Sequence, residues 1–371
     1  MNYKRLLLNC LGMVLFTATV SGPTAAAEDS AQQNPPNILL LVGDDISFGD
    51  LGISGGVTQT PVLDRLANEG VMFTRFHASP VCSVSRGMLL TGNDPIDIGL
   101  AAFDYALYPP AAGKPGYESY LTRATTATIA ELLRDAGYRT YMTGKWHLGG
   151  AHGGEGPQDW GFDRSYSIYT GGANHWNSGV FHVDTHNPEV MAQVKAGKIP
   201  QEPYFEDGKR VERPQGIYSD DLWTGKLLQY LEQERESGKP FFAYVAYTTA
   251  HAPLQAPDFL IDKYVDHYLE LGYAGLKQAR FDAQKRLGLI PPDAVFPDTT
   301  KNQLLRSWEE LSDQEKYVEA RSMATYSAMM ESQDYHIGMV LNYLRETGEL
   351  DNTLIIYLAD NGPEGLGLTG E

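Results

Sequence analysis

The 371-residue sequence predicts an α/β fold with a mostly parallel central sheet and helices on both faces. Three observations predict it. A continuous apolar run ending in two acids, NILLLVGDD at 37–45, is the type of strand buried on both faces of a parallel sheet. Amphipathic helical patterns alternate with further apolar runs along the chain. Carboxylates, histidines and a lysine gather at the C-terminal ends of those runs, where open α/β sheets hold their ligands.

Taken from the N-terminus, Lys4 and Arg5 precede an apolar run from Leu6 to Val20, and Thr24-Ala25-Ala26-Ala27 follows. That pattern reads as a secretory signal peptide over 1–27. The run is short of the ~20 residues a spanning helix needs, so no membrane span is expected after signal removal, and the chain is expected to be periplasmic or secreted. EDSAQQNPP at 28–36 reads as a disordered leader, and 37–371 as one domain. After the first strand, TPVLDRLANEG predicts a helix with Thr60 as N-cap, Pro61 at the first helical position and Gly70 just past the end. VMFTRFHAS, 71–79, is expected to be a second strand. TIAELLRDAG, 128–137, reads as a helix in which Thr128 and Glu131 form a capping box, leading into the strand YRTYMTG. Ser219 is expected to cap a helix over 219–235, followed by the strand PFFAYVAYTTAH. Ser312 and Glu315 make a second capping box at the head of a long helix reaching Leu344, and NTLIIYLADNG is the last strand. Segments 151–215 and 252–311 read as insertions of loops and short helices.

Composition limits the partners. A formal charge of −18 leaves no basic stripe to neutralise phosphates, which argues against nucleic acid. An anionic small molecule stays open, because a local cluster of cations can override the global sign. The chain has two cysteines, Cys10 and Cys82, and the first falls in the signal segment. Cys82 then has no internal partner, and a lone thiol in an oxidising compartment has to be buried or used.

The chemistry-bearing residues are Asp44 and Asp45 after the first strand, Lys145 and His147 after YRTYMTG, His251 after FFAYVAYTT, and Asp360 and Asn361 after the last strand. Three carboxylates and an amide oxygen suit Ca²⁺ or Mg²⁺ rather than zinc. His147 and His251 are candidates for acid/base work, and Lys145 and Arg86 for holding an oxyanion. Each has a plainer alternative: an Asp as a helix cap, a His as a packed ring, Lys145 as a solvated charge, Cys82 as a small buried hydrophobe. Trp160, Tyr166 and GGANHW at 171–176 either line the organic side of a substrate pocket or pack the insertion.

CSVSRGMLLTG, 82–92, resembles the signature of type I sulfatases, C-x-P-S-R followed by a short helix ending in L-T-G. LLLVGDDISFGDLG, GYRTYMTGKWHLG, FFAYVAYTTAHAPLQAP and LRETGELDNTLIIYLADNGPEG agree in order with bacterial arylsulfatases of the alkaline phosphatase superfamily, from Pro36 to the end. The resemblance implies a sulfatase catalytic domain over 37–371. It implies Ca²⁺ held by Asp44, Asp45, Asp360 and Asn361, with the modified Cys82 also touching the metal. It implies that a formylglycine-generating enzyme converts Cys82 to formylglycine before folding. Arg86 would then hold that residue, and Lys145, His147 and His251 would bind sulfate and move protons. A small-molecule sulfate ester is the implied substrate. One hydroxyl of the aldehyde hydrate would attack sulfur, and the second would be deprotonated to expel sulfate from the enzyme.

Two departures bear on this. Position 84 is Val where the signature has Pro, and the chain stops at Glu371, ten residues after Asn361, where family members continue with more sheet and a second active-site lysine. The expectation is a sulfatase with its C-terminal part missing. The alternatives are a phosphodiesterase or phosphonate monoester hydrolase of the same fold, and an inactive remnant that only binds.

Overall fold

A computed structural model describes residues 35–102, 109–111, 113–123, 126–149, 155–177, 202–297 and 306–363, with isolated positions between 189 and 198. The expectations for 1–27, for most of the leader and for the terminal segment from 364 lie outside these residues.

Among the described residues, seven strands form one sheet. They are β1 (Asn37–Gly43), β2 (Arg139–Lys145), β3 (Arg164–Ile168), β4 (Tyr204–Glu206), β5 (Lys209–Val211), β6 (Phe241–Ala246) and β7 (Thr353–Ala359). The order is β5-β4-β3-β2-β6-β1-β7. β1 pairs in parallel with both β6 and β7, and β2 with β3 and β6. The pairs β3/β4 and β4/β5 are antiparallel, so β4 is the reversed strand. The apolar runs become the central strands because both faces are covered. One face packs Leu39, Leu41, Ala243 and Val245 against α4 (Ser219–Gln233) and α7 (Asp313–Glu346). The other packs Leu40, Val42, Phe242 and Tyr244 against α2 (Cys82–Thr91), α3 (Ile129–Asp135) and the loops around Ile98 and Phe162. A third cluster joins α7 to α5 (Asp258–Ile261) and α6 (Val265–Arg286). No helix among the described residues is long and apolar enough to cross a membrane.

Both capping boxes form as expected, Thr128 with Glu131 and Ser312 with Glu315. Five expectations are corrected. Residues 71–79 are not a strand: no neighbouring strand is available to them among the described residues, and Val71, Phe73 and Phe76 are 80, 75 and 59% exposed. The first insertion supplies β3, β4 and β5, whose short polar-rich sequences carry little strand signal of their own. The second insertion holds a 22-residue helix, α6, rather than only short ones. Ser219 lies inside α4, behind Tyr218, and its hydroxyl is 2.7 Å from His175 Nδ1 instead of capping the helix. At α1 (Pro61–Glu69), Thr60 is the N-cap residue without a capping bond, and Gly70 stays outside the left-handed region.

Candidate active site

The sheet edge formed by the C-terminal ends of β1, β2, β6 and β7 gathers every predicted site residue. Asp44 and Asp45 follow β1, Lys145 ends β2 with His147 two residues on, His251 lies on the turn after β6, and Asp360 and Asn361 follow β7. Cys82 is the first residue of α2 and Arg86 lies one turn later. The Asp44 N–H donates to Thr249 O at 3.0 Å and the Ala250 N–H to Asp44 O at 2.7 Å, which ties the loop carrying His251 to the end of β1. Gly144 has φ 104°, and a Cβ there would lie 1.8 Å from Ala246 O, so only glycine lets β2 turn Lys145 inward beside β6.

A buried charge network results. Lys145 Nζ donates to both Asp44 oxygens, at 2.9 and 2.7 Å. Arg86 Nε donates to Asp360 Oδ2 at 2.8 Å and Nη1 to Lys145 O at 2.8 Å. Arg86 Nη2 sits 2.7 Å from Asp360 Oδ2 and 3.6 Å from Asp44 Oδ1 as a charge contact, with no aligned acceptor among the described residues. Burial alone pulls the Arg86 and Lys145 cations down, but the surrounding acids outweigh it: both end above their ordinary range, chiefly through Asp360 for Arg86 and Asp44 for Lys145. The Asp360 carboxyl is pushed up, first by burial and then by Asp44, against the pull of Arg86 and Lys145.

Cys82 Sγ lies 3.2 Å from His147 Nδ1. Burial raises the thiol, against the pull of Lys145, so an unmodified Cys82 is a protonated thiol rather than a ready thiolate. Asp44, Cys82 and Asp360 present ligand atoms within 4.8 Å of one another. Asp45 is adjacent: its N–H donates to Asp360 Oδ1 at 3.4 Å, Asn361 Nδ2 donates to its Oδ1, and His251 Nε2 lies 3.8 Å from its Oδ2. Asn361 Oδ1 is buried with no hydrogen-bond partner among the described residues. Three carboxylates and an unsatisfied amide oxygen are the donor set of a hard cation, so the residues present fit Ca²⁺. Asp45 and His147 both have positive φ, 59° and 58°, a backbone state uncommon outside glycine that Asp and His enter more readily than most residues.

The segment GGANHW, offered by the sequence as either pocket lining or packing, contributes to the site. A Cβ at position 171 would lie 2.9 Å from His147 Cε1, and one at 172 would lie 2.9 Å from His251 Cε1, so the Gly171-Gly172 turn lies directly against both rings. His175 Nε2 is 3.1 Å from His251 O. The doublet GG ahead of ANHW was visible as sequence, but the rings it covers come from other strands. Trp160 and Tyr166, by contrast, are 0 and 2% exposed in the two sheet-face cores, so they pack the fold and do not line a substrate pocket.

A family model described as Sulfatase matches residues 36–368. The chain is 39% identical over 344 residues to an uncharacterized sulfatase of Schizosaccharomyces pombe, covering 92% of this chain and 60% of that protein. It is 34% identical over 347 residues to an arylsulfatase of Klebsiella aerogenes, covering 94% of this chain and 70% of that enzyme. Among solved structures, that of Ps i-CgsB matches with a TM-score of 0.61 at 25% identity, over 89% of this chain and 59% of that one. The chain thus spans about three fifths of the first relative and of the solved structure, and somewhat more of the arylsulfatase. With the family model matching nearly all of the described residues, and the ordered motifs converging on one sheet edge, the chain belongs to the sulfatase family of the alkaline phosphatase superfamily.

Proposed function

We propose that the chain is the catalytic part of an exported, Ca²⁺-dependent sulfatase. It hydrolyses sulfate monoesters, aryl sulfates among them, to an alcohol or phenol and inorganic sulfate, with Cys82 converted to formylglycine. The observation that carries this is the buried juxtaposition of Cys82 with Asp44, Asp360, Arg86, Lys145 and His147.

In this reading Asp44, Asp45, Asp360 and Asn361 hold the metal. Bound there, Ca²⁺ supplies Lewis acidity and a template for the sulfuryl oxygens. Converted to a hydrated aldehyde, residue 82 would supply two hydroxyls, one as nucleophile toward sulfur and one whose deprotonation would release sulfate. Arg86 and Lys145 are fixed cations beside that position, preorganised for the negative charge that grows on the sulfuryl oxygens. His147 Nδ1 is within proton-transfer reach of residue 82. His251 Nδ1 is 2.7 Å from the Ala252 carbonyl, a contact that places its proton on Nδ1, so a proton passed to the leaving oxygen is carried at Nε2. With Cys82 only 6% exposed, conversion by a formylglycine-generating enzyme precedes folding. Export through a signal peptide over 1–27, to the periplasm or beyond, belongs to the same proposal.

The test joins mass spectrometry of the tryptic peptide ending at Arg86 to turnover of 4-nitrophenyl sulfate and of matched phosphate and phosphonate esters. The expected result is an aldehyde at position 82 and Ca²⁺-dependent hydrolysis that is fastest on the sulfate ester. Faster turnover of the phosphonate or phosphate ester would reassign the substrate class. A peptide found only as free thiol, without turnover, would leave a binding remnant.

A further inference from the structure

Asp45 reaches the candidate metal site only because its backbone is held at φ 59°. For a residue with a side chain that conformation is uncommon, and surrounding groups stabilise it. Those groups can be followed outward from the carbonyl. Asp45 O accepts from the Tyr326 hydroxyl of α7 at 2.8 Å. The same hydroxyl lies 2.8 Å from Asp50 Oδ2. Asp50 is 2% exposed, and its Oδ2 also accepts from the Ser47 N–H at 2.8 Å. Its Oδ1 is held by Arg280 Nη2 of α6 at 2.6 Å. α6 is seated closely on this loop: a Cβ at Gly49 would lie 3.0 Å from Gln284 Nε2.

We propose that Asp50, Tyr326 and Arg280 are positioning residues that lock Asp45 in its left-handed conformation and so set the affinity of the site for Ca²⁺. The inference rests on the metal reading above. It also gives the 252–311 insertion a role at the site, since Arg280 is the link that holds Asp50 in place. None of the three side chains is needed as a ligand. Arg280 balances the buried Asp50 carboxylate, and the single Tyr326 hydroxyl hydrogen is shared between Asp50 Oδ2 and the Asp45 carbonyl, which ties the two loops' acceptors to one phenol and leaves the Asp45 carboxylate aimed toward Asn361 and His251. Outer partners that orient metal ligands commonly account for about 10–100-fold in metal affinity.

The experiment is calorimetric titration of Ca²⁺ into the chelator-washed full chain and into Tyr326→Phe, Arg280→Gln, the double variant and the control Arg321→Gln, with unfolding of each metal-free protein followed in parallel. Arg321 makes solvent-exposed ion pairs with Asp258 and Asp262 away from Asp45, so its loss reads the effect of removing a surface arginine. Tyr326→Phe and Arg280→Gln are each expected to weaken Ca²⁺ binding by about tenfold or more. The double variant should be weakened by less than the product of the two, because both act through one carboxylate. Arg321→Gln should stay within about twofold of the parent. Tyr326→Phe removes a single oxygen and keeps the ring, so it reads the proposal even if Arg280→Gln folds poorly. Ca²⁺ affinity within about twofold of the parent in a folded Tyr326→Phe overturns the inference while leaving the metal reading intact. A parent chain that binds no Ca²⁺ overturns the metal reading and this inference with it.

Discussion

His175 is fully enclosed between the Ser219 hydroxyl and the His251 carbonyl, an arrangement that suits a neutral ring accepting at Nδ1 and donating at Nε2. Burial drives it down to about 3, against the His251 carbonyl bond that favours the cation. Between pH 6.5 and about 3 the unfolded chain therefore binds a proton at this position that the folded chain refuses. The contribution is fully present above pH 6.5 and is lost as the pH falls toward the folded value, by up to about 4–5 kcal/mol. His175→Gln should flatten this part of the stability profile, read as the difference between variant and parent in denaturant unfolding from pH 4 to 7. Asp220, raised to about 6 mainly by burial, acts with the opposite sign over the same window, and the difference curve separates the two. The position of His175 beside the catalytic candidates was open to a sequence reading only as part of GGANHW. Its neutrality follows from groups 44 and 76 residues away.

At the scale of elements, α1 shows how a correct helix can be capped by the wrong residue in a sequence reading. Thr60 precedes Pro61 as a good N-cap should, yet its hydroxyl accepts from the Gly52 N–H at 2.9 Å and donates to Asp64 Oδ1 at 2.9 Å. The free N–H groups of Val62 and Leu63 instead point at the Asp334 carboxylate from α7, at 3.1 and 2.8 Å. Asp334→Ala is expected to destabilise the chain by about 1–3 kcal/mol, because it leaves a buried helix end unsatisfied and removes a charge complementary to the helix dipole. Thermal and denaturant unfolding would check it, and a loss below about 0.5 kcal/mol would show that water replaces the carboxylate. The capping boxes of α3 and α7 were legible because both partners lie within four residues of each other. Asp334 was not, because the bond spans more than 270 residues of chain.

Across the whole molecule, the parallel core β2-β6-β1-β7 follows the apolar runs, while β3, β4 and β5 extend one side and leave β7 at the other edge among the described residues. Leu354 and Ile356 on β7 are 52 and 39% exposed, although Ile355 and Tyr357 on the opposite face pack against the core. An exposed apolar edge strand of this kind pairs readily with other chains. Leu354→Lys should suppress concentration-dependent light scattering and shift the thermal midpoint by no more than about 2 °C, since that side chain contributes little to the core. Unchanged scattering would place the association elsewhere, with the exposed Val71 and Phe73 the next surface to alter.

What the sequence by itself determined was whatever depends on near neighbours or on sheer apolarity. That covers the buried parallel strands, the helices with self-contained caps, and the order in which Asp44, Lys145, His147, His251 and Asp360 arrive at strand ends. Strand ends in a parallel sheet share one edge, so those residues had to converge once the strands paired. Tertiary structure alone decided the contacts that need two distant segments. It recruited β3–β5 to the sheet, denied residues 71–79 a partner, laid Gly171 and Gly172 against the histidines, and closed the chain from Arg280 through Asp50 and Tyr326 to Asp45. The physical reason is the same in each case. A strand without a ladder, a carboxylate without its cation and a left-handed Asp without its clamp have no stability of their own, so local pattern cannot announce them.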